Sequence, residues 1–216
     1  MILSSYKLRV KGRASWVSGG GVFSSKLFSN CRLSNNSGDY GSAAGLSILN
    51  NCLVISNKTG NAVYSCTLYN CLVISNTAVY AVRGSKLYNC TVANNSGYGL
   101  YYKNTSATNC IVYFNKLGNY VVLTDPMAYC CTTPPQTNWA TGDGNITNEP
   151  SFVNTAAGDF QLNRNSPCIN AGTNGVWTAT GFDLAGNPRI DKASGLVDIG
   201  CYEYQLPYRG TILLLQ

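Results

Sequence analysis

The sequence predicts an all-β chain built as a parallel β-helix solenoid of about six coils of ~20 residues, closed by a loop-rich C-terminal capping module. Three observations carry this. An Asn-Cys pair recurs at Asn30-Cys31, Asn51-Cys52, Asn70-Cys71, Asn89-Cys90 and Asn109-Cys110, its cysteines stepping by 21, 19, 19 and 20 residues. Each copy closes on an asparagine six residues after the first, at Asn36, Asn57, Asn76, Asn95 and Asn115. No unit contains an amphipathic helix, which argues against helical-repeat solenoids and against a leucine-rich horseshoe with helices outside.

Aligned on the cysteine, the copies read in columns. Two residues on stand Leu33, Val54, Val73, Val92 and Val112. Side chains in a strand alternate with a period of two, so this column shares a face with the cysteines. Three residues before the cysteine come Phe28, Leu49, Leu68, Leu87 and Ala107. That odd offset predicts a corner between the two apolar positions. A further short apolar run recurs upstream, at Val22-Phe23, Ala62-Val63-Tyr64, Val79-Tyr80-Ala81-Val82 and Leu100-Tyr101-Tyr102. Each unit therefore reads as two or three short strands separated by Gly, Asn and Ser corners. Coils of this kind stack at about 4.8 Å, so the solenoid should be a prism of roughly 25–30 Å. The closing asparagines are expected to sit in left-handed corners and to form an amide ladder from coil to coil.

The repeated cysteines are expected to fill the core as free thiols. Stacked about 4.8 Å apart with parallel Cβ vectors, they do not meet disulfide geometry, and a line of sulfurs is not a metal site. Of the remaining cysteines, Cys66, Cys130, Cys131, Cys168 and Cys201, a Cys168–Cys201 bridge is conceivable. Charged residues make up only 11% of the chain, and the net charge of +6 is spread along it, so no basic stripe suits nucleic acid. No apolar stretch is long enough to span a membrane. Met1–Lys7 lacks the apolar core of a signal peptide. The coils are expected to begin at Gly19–Phe23, and their first edge to be covered by upstream coils, a leader or another chain.

After about Thr132 the period gives way to Pro, Thr, Asn and Gly. The phrases Pro150-Ser151-Phe152-Val153, Gly158-Asp159-Phe160-Gln161-Leu162, Ser166-Pro167-Cys168-Ile169-Asn170-Ala171-Gly172, Asp183-Leu184-Ala185-Gly186-Asn187-Pro188-Arg189 and Val197-Asp198-Ile199-Gly200-Cys201-Tyr202-Glu203-Tyr204 follow in order. This series resembles the choice-of-anchor Q domain. That domain follows right-handed parallel β-helix repeats in secreted or surface-anchored bacterial proteins. The resemblance implies a right-handed coil, domains at 1–131 and 132–216, and an extracellular or cell-surface location. It implies no uniform activity. An anchor would lie beyond the Tyr-Glu-Tyr phrase, and the Ile212–Gln216 tail is too short to span a bilayer.

Candidate functional residues form three groups. Asp183, Arg189, Asp198 and Glu203 are the densest charge group, readable as the carboxylates and arginine of a sugar-cleaving site or as a buried network holding the cap together. Tyr69 and Tyr88 share a column, with Tyr113 nearby, and offer flat faces with polar tips to sugar rings. Leu53, Ile55, Leu72 and Ile74 should point outward. A strand apolar on both faces needs cover, either from the C-terminal module folding back or from another copy of the chain. Arg83 and Lys103 read as equivalent positions on successive coils, able to meet an anionic sugar. The chain contains no histidine, which removes the commonest general base and any Ser-His or Cys-His triad. Asp39 and Asp125, the acids of the coils, are too far apart for glycoside hydrolysis. No cofactor or metal is expected. The reading is a non-catalytic surface protein acting in adhesion, glycan contact or self-assembly; the alternative is a polysaccharide lyase or glycoside hydrolase.

Overall fold

The computed structural model of the chain describes residues 8–10, 20–24, 26–101, 104–121, 125–134, 143–179 and 181–205. Met1–Lys7, Tyr102, Lys103 and the Ile212–Gln216 tail lie outside these residues. The chain winds as a parallel β-helix with three sheets. The first contains Leu8–Val10, Cys31–Ser34, Leu53–Ile55, Leu72–Ile74, Thr91–Ala93, Ile111–Tyr113 and Cys131–Thr132. The second contains Val22–Phe23, Ala44–Gly45, Asn61–Tyr64, Tyr80–Arg83, Tyr98–Tyr101 and Gly118–Val121. The third contains Leu27–Ser29, Ile48–Asn50, Thr67–Tyr69, Lys86–Tyr88, Ser106–Thr108 and Met127–Ala128. Each coil passes through the second, third and first sheet in turn. Leu8–Val10 pairs with Cys31–Leu33, so a strand stands ahead of the Gly19–Phe23 start expected from sequence.

The apolar columns become rows of paired residues. Leu33, Val54, Val73, Val92 and Val112 are in register across the first sheet. Phe28, Leu49, Leu68, Leu87, Ala107 and Met127 are in register across the third. With Val63, Val82 and Leu100 of the second sheet they form one continuous core. The two short bends of a coil, from the second sheet to the third and from the third to the first, each turn on a single left-handed residue where named here. Asn30, Asn51, Asn70, Asn89 and Asn109 have φ of 49–53° and turn the chain from the third sheet into the first. Leu46, Ser65 and Gly84 turn it from the second into the third. The closing asparagines do not occupy the left-handed position expected of them. It falls one residue earlier, on Asn35, Ser56, Ser75, Asn94 and Phe114. This shift lets the closing side chains point inward.

There they build the amide ladder. Asn57 donates both its backbone N–H and its Nδ2 to Asn76 Oδ1, at 2.9 and 3.0 Å. Asn36, Asn76 and Asn95 repeat the pattern toward Asn57, Asn95 and Asn115, and Asn115 continues it to Asn119 Oδ1. The thiols form a second ladder. Backbone N–H groups of Cys71, Cys90 and Cys110 each lie 3.4 Å from the sulfur of the next rung, at Cys90, Cys110 and Cys130. Each thiol donates to the carbonyl two residues back, as Cys90 does to Tyr88 at 3.3 Å. Cys130 is therefore a sixth rung, unseen in the sequence because Tyr129 replaces the usual asparagine. All ten cysteines are free and buried.

The outer face of the first sheet is covered as well. Leu53, Leu72, Ile74 and Ala93 are buried against Phe160, Leu184, Cys201 and Tyr202, with Ile55 and Phe152 packed alongside. The last coil is capped by the start of the C-terminal segment: Ile146 bridges in parallel to Cys131, and Asn145 accepts from Cys130 N and donates to Met127 O. This cap covers a strand edge that would otherwise stay unpaired.

Asn76→Ala removes the acceptor of two buried N–H groups. Each group left unsatisfied costs about 1–3 kcal/mol, so we expect a loss of about 3 kcal/mol in urea unfolding. The exposed Asn174→Ala should stay within about 0.5 kcal/mol of the parent. Equal stability of the two variants would refute a structural role for the ladder.

Candidate functional site

The four charged residues singled out from sequence do come together, and they are buried. Arg189 Nη2 lies 3.0 Å from Glu203 Oε1, with the two side chains 0% and 2% exposed. The same nitrogen donates to the carbonyls of Asp198 and Gly200 at 3.1 and 3.0 Å. Asp183 Oδ1 accepts from Ala185 N and Asn187 N, and its Oδ2 from Asn187 Nδ2 and Glu203 N. Asp198 accepts from Asn170 N and Tyr204 N, and its own N–H is shared between the two Glu203 oxygens. The carboxylates replace sheet partners for a segment that has few strands.

Burial pushes the Glu203 carboxyl up to about 9, and the Asp198 and Asp183 carboxylates add to the rise. The Arg189 guanidinium and the Asp198 N–H pull the other way without cancelling it. Burial raises Asp198 as well, against the hydrogen bonds from Tyr204 and Asn170. A cleft of about 500 Å³ beside the cluster is lined by Arg164, Asn170, Asp191, Lys192, Glu203 and Tyr204. Glu203 reaches its wall, yet both carboxylate oxygens are already held by Arg189 and Asp198.

The apolar group has no free face. Leu53, Leu72 and Ile74 lie beneath the C-terminal segment as interior residues of a two-sided sheet, and Ile55 is partly buried at its margin. The tyrosines divide. Tyr69 and Tyr88 stack at 5.0 Å with their rings 12° apart. Tyr88 also packs against Trp177 at 4.7 Å, whose indole N–H donates to Asn89 Oδ1 at 2.8 Å. Tyr113 donates its hydroxyl to Thr147 O and meets Phe114 edge-on. Tyr88 and Tyr113 are thus engaged by the C-terminal segment, which leaves Tyr69 at the end of the stack.

A larger aromatic group lies on the second sheet. Tyr64, Arg83 and Tyr101 stand side by side in one column. The guanidinium carbon of Arg83 is 5.8 Å from the Tyr64 ring centre and 5.5 Å from that of Tyr101, within cation–π reach. Tyr40, 48% exposed, meets Tyr64 edge-on at 5.6 Å. Tyr80 stacks on Tyr101 at 4.0 Å and lies 6.0 Å from Tyr98. Burial raises the Tyr80 phenol, helped by Tyr101, to which it is hydrogen-bonded. The sequence pairing of Arg83 with Lys103 is replaced by Arg83 with Tyr101, eighteen residues on, because the extra residues of that coil fall after the strand. Tyr40, Tyr80 and Tyr98 escaped the sequence reading. Tyr80 stood within the Val79–Val82 run, but Tyr98 lies two residues ahead of the run read from Leu100, and Tyr40 sits in a connecting loop with no periodic signature.

No family model matches the chain, and no curated protein matches it. Among solved structures it is similar to the crystal structure of pectate lyase Pel9A, at 11% identity and a TM-score of 0.37, over 91% of this chain and 70% of that one. The chemistry of that protein is not carried over to this chain.

The raised carboxyls set a pH dependence. A folded pKa above the unfolded value of about 4.3 stabilises the fold fully below that value, and the contribution is lost as pH rises toward about 9. Stability measured by urea unfolding should therefore fall between pH 5 and 8. Glu203→Gln should flatten most of that slope, leaving the smaller part due to Asp198. An identical slope in parent and variant would show that Glu203 is ionised in the folded chain.

Proposed function

We propose that the chain is a non-catalytic binding protein that contacts carbohydrate through the tyrosine–arginine face of its second sheet. The carrying observation is the half-exposed cluster of Tyr40, Tyr64, Tyr80, Tyr98 and Tyr101 around Arg83. Flat apolar rings with hydroxyl tips suit the faces and rims of pyranose rings, and a guanidinium adds affinity for a carboxylated or sulfated sugar. The stacked rings rest on a hydrogen-bonded sheet, so little side-chain entropy remains to be lost on binding. The resemblance of the C-terminal phrases to the choice-of-anchor Q domain supports secretion or display at a bacterial cell surface, where adhesion through such a face is useful. It also supports treating residues 1–131 as the coils and 132–216 as an anchor-associated cap.

The alternative reading, a polysaccharide lyase or hydrolase centred on Asp183, Arg189, Asp198 and Glu203, has weaker support. Catalysis needs a carboxyl presented to substrate, whereas these side chains are buried and bonded to backbone groups that organise the cap. Self-assembly through Leu53, Ile55, Leu72 and Ile74 is disfavoured by the residues already covering them.

A glycan array that includes acidic polysaccharides, followed by titration calorimetry on the best ligand, tests the proposal. Tyr64→Ala combined with Tyr101→Ala should weaken binding at least about tenfold, a difference of roughly 1.4 kcal/mol. Arg83→Met should act selectively on acidic glycans. Val176→Ser, at a fully solvated position, should bind like the parent. Binding unchanged in the tyrosine double variant would sink the assignment, and depolymerisation abolished by Asp198→Asn would favour the enzyme.

A further inference from the structure

We propose that Cys131 and Cys168 form a disulfide that fastens the C-terminal segment to the last coil when the chain folds in the presence of a small-molecule disulfide such as oxidised glutathione. Two neighbouring cysteines close the thiol ladder with opposite orientations. Cys130 faces the core as its sixth rung, while Cys131 pairs with Ile111 and lies in the outer cluster of the first sheet. Cys168 arrives there from the Ser166–Gly172 phrase. Both thiols are fully buried among Ile111, Leu162 and Ile199. They belong to the same small cluster, one brought by the last coil and the other by the C-terminal segment, and Cys131 donates to Asn148 O at 3.1 Å.

The segment carrying Cys168 is held in place from both sides. Ile199 N donates to Cys168 O at 2.9 Å, and Cys168 N donates to Ser166 Oγ at 3.2 Å. Among the described residues, this is the cluster in which a cysteine of the coils and a cysteine of the C-terminal segment meet. The rungs are stacked in parallel, which is unsuited to an S–S bond. Cys66 neighbours Ser85 in the next coil, and Cys201 belongs to the cluster around Leu72, where its N–H meets Thr91 Oγ1. The Cys168–Cys201 bridge conceived from sequence therefore gives way to Cys131–Cys168.

The chemistry balances. Two S–H bonds break, one S–S bond forms, and two protons and two electrons leave. The electrons reduce one molecule of oxidised glutathione to two of the thiol, through a mixed disulfide on one cysteine that the other displaces. Burial shuts both thiols off from glutathione once the segment has docked. The bond thus forms during docking and is slow to form in the folded, reduced protein. It closes a loop of 37 residues.

The test refolds the reduced, urea-denatured full chain in a glutathione redox buffer. It then alkylates under denaturing conditions and maps peptides by mass spectrometry. Free thiols should fall from ten to eight, with a linked Cys131–Cys168 peptide. The oxidised protein should melt about 10 °C above the reduced one. Cys168→Ala should retain nine thiols and show no rise. Ten free thiols in the refolded parent, or a link between any other pair, overturns the proposal. The parent's own map decides the matter even where a variant fails to fold.

Discussion

Everything in this molecule depends on a corner that consists of one residue. A coil of about twenty residues can repeat on itself only if each bend returns the strand to the same register. Here a single left-handed position achieves that between the third and first sheets. Asparagine adopts it at modest cost because its short polar side chain tolerates positive φ. The following cysteine then points into the core with the aliphatic two residues on, and the closing asparagine lands opposite its counterpart. Register, core and ladder are three results of one backbone constraint.

The corner also prepares the docking of the C-terminal segment. Asn70 donates to Phe182 O at 2.9 Å, Asn89 to Asp198 O at 3.2 Å, and Asn109 to Thr173 O at 2.8 Å while accepting from Thr173 N. A residue chosen for its backbone thus presents an amide to whatever lies outside the bend. Between these latches and the apolar face of the first sheet, a segment with one short strand pair among its described residues holds a fixed path. Its buried carboxylates complete the work by collecting backbone N–H groups. Such a network costs desolvation and is a weak source of net stability, but it specifies one arrangement of the loops.

The columns were legible because period and alternation are properties of residue type. Leu33 to Val112 and Phe28 to Ala107 could be placed on facing sheets without coordinates. What escaped was whatever depended on where extra residues fall within a coil. Counting from the repeat placed Arg83 beside Lys103, while hydrogen bonding placed it beside Tyr101. Cys130 looked like a leftover because Tyr129 took the corner with φ of 51°, a conformation rare enough for tyrosine that no sequence rule proposes it. The charge cluster was visible as a local excess of acids with an arginine. Its burial was not, because burial there comes from Ile199, Cys201 and Tyr202 packing onto a sheet far away in sequence.

The amide ladder has a direction. From amide to amide, every rung donates to the following coil and accepts from the preceding one, so the loss of a rung is felt unequally on its two sides. The preceding asparagine is left with an unpaired backbone N–H, while its side-chain amide loses one acceptor and keeps the nearby carbonyls, as Asn57 keeps Leu33 O and Ile55 O. The following one keeps an oxygen still served by the backbone N–H of the altered residue, as Asn95 is by Asn76 at 3.0 Å. Damage in this solenoid therefore travels upstream, toward earlier coils, and the C-terminal rungs protect those before them more than they are protected in return.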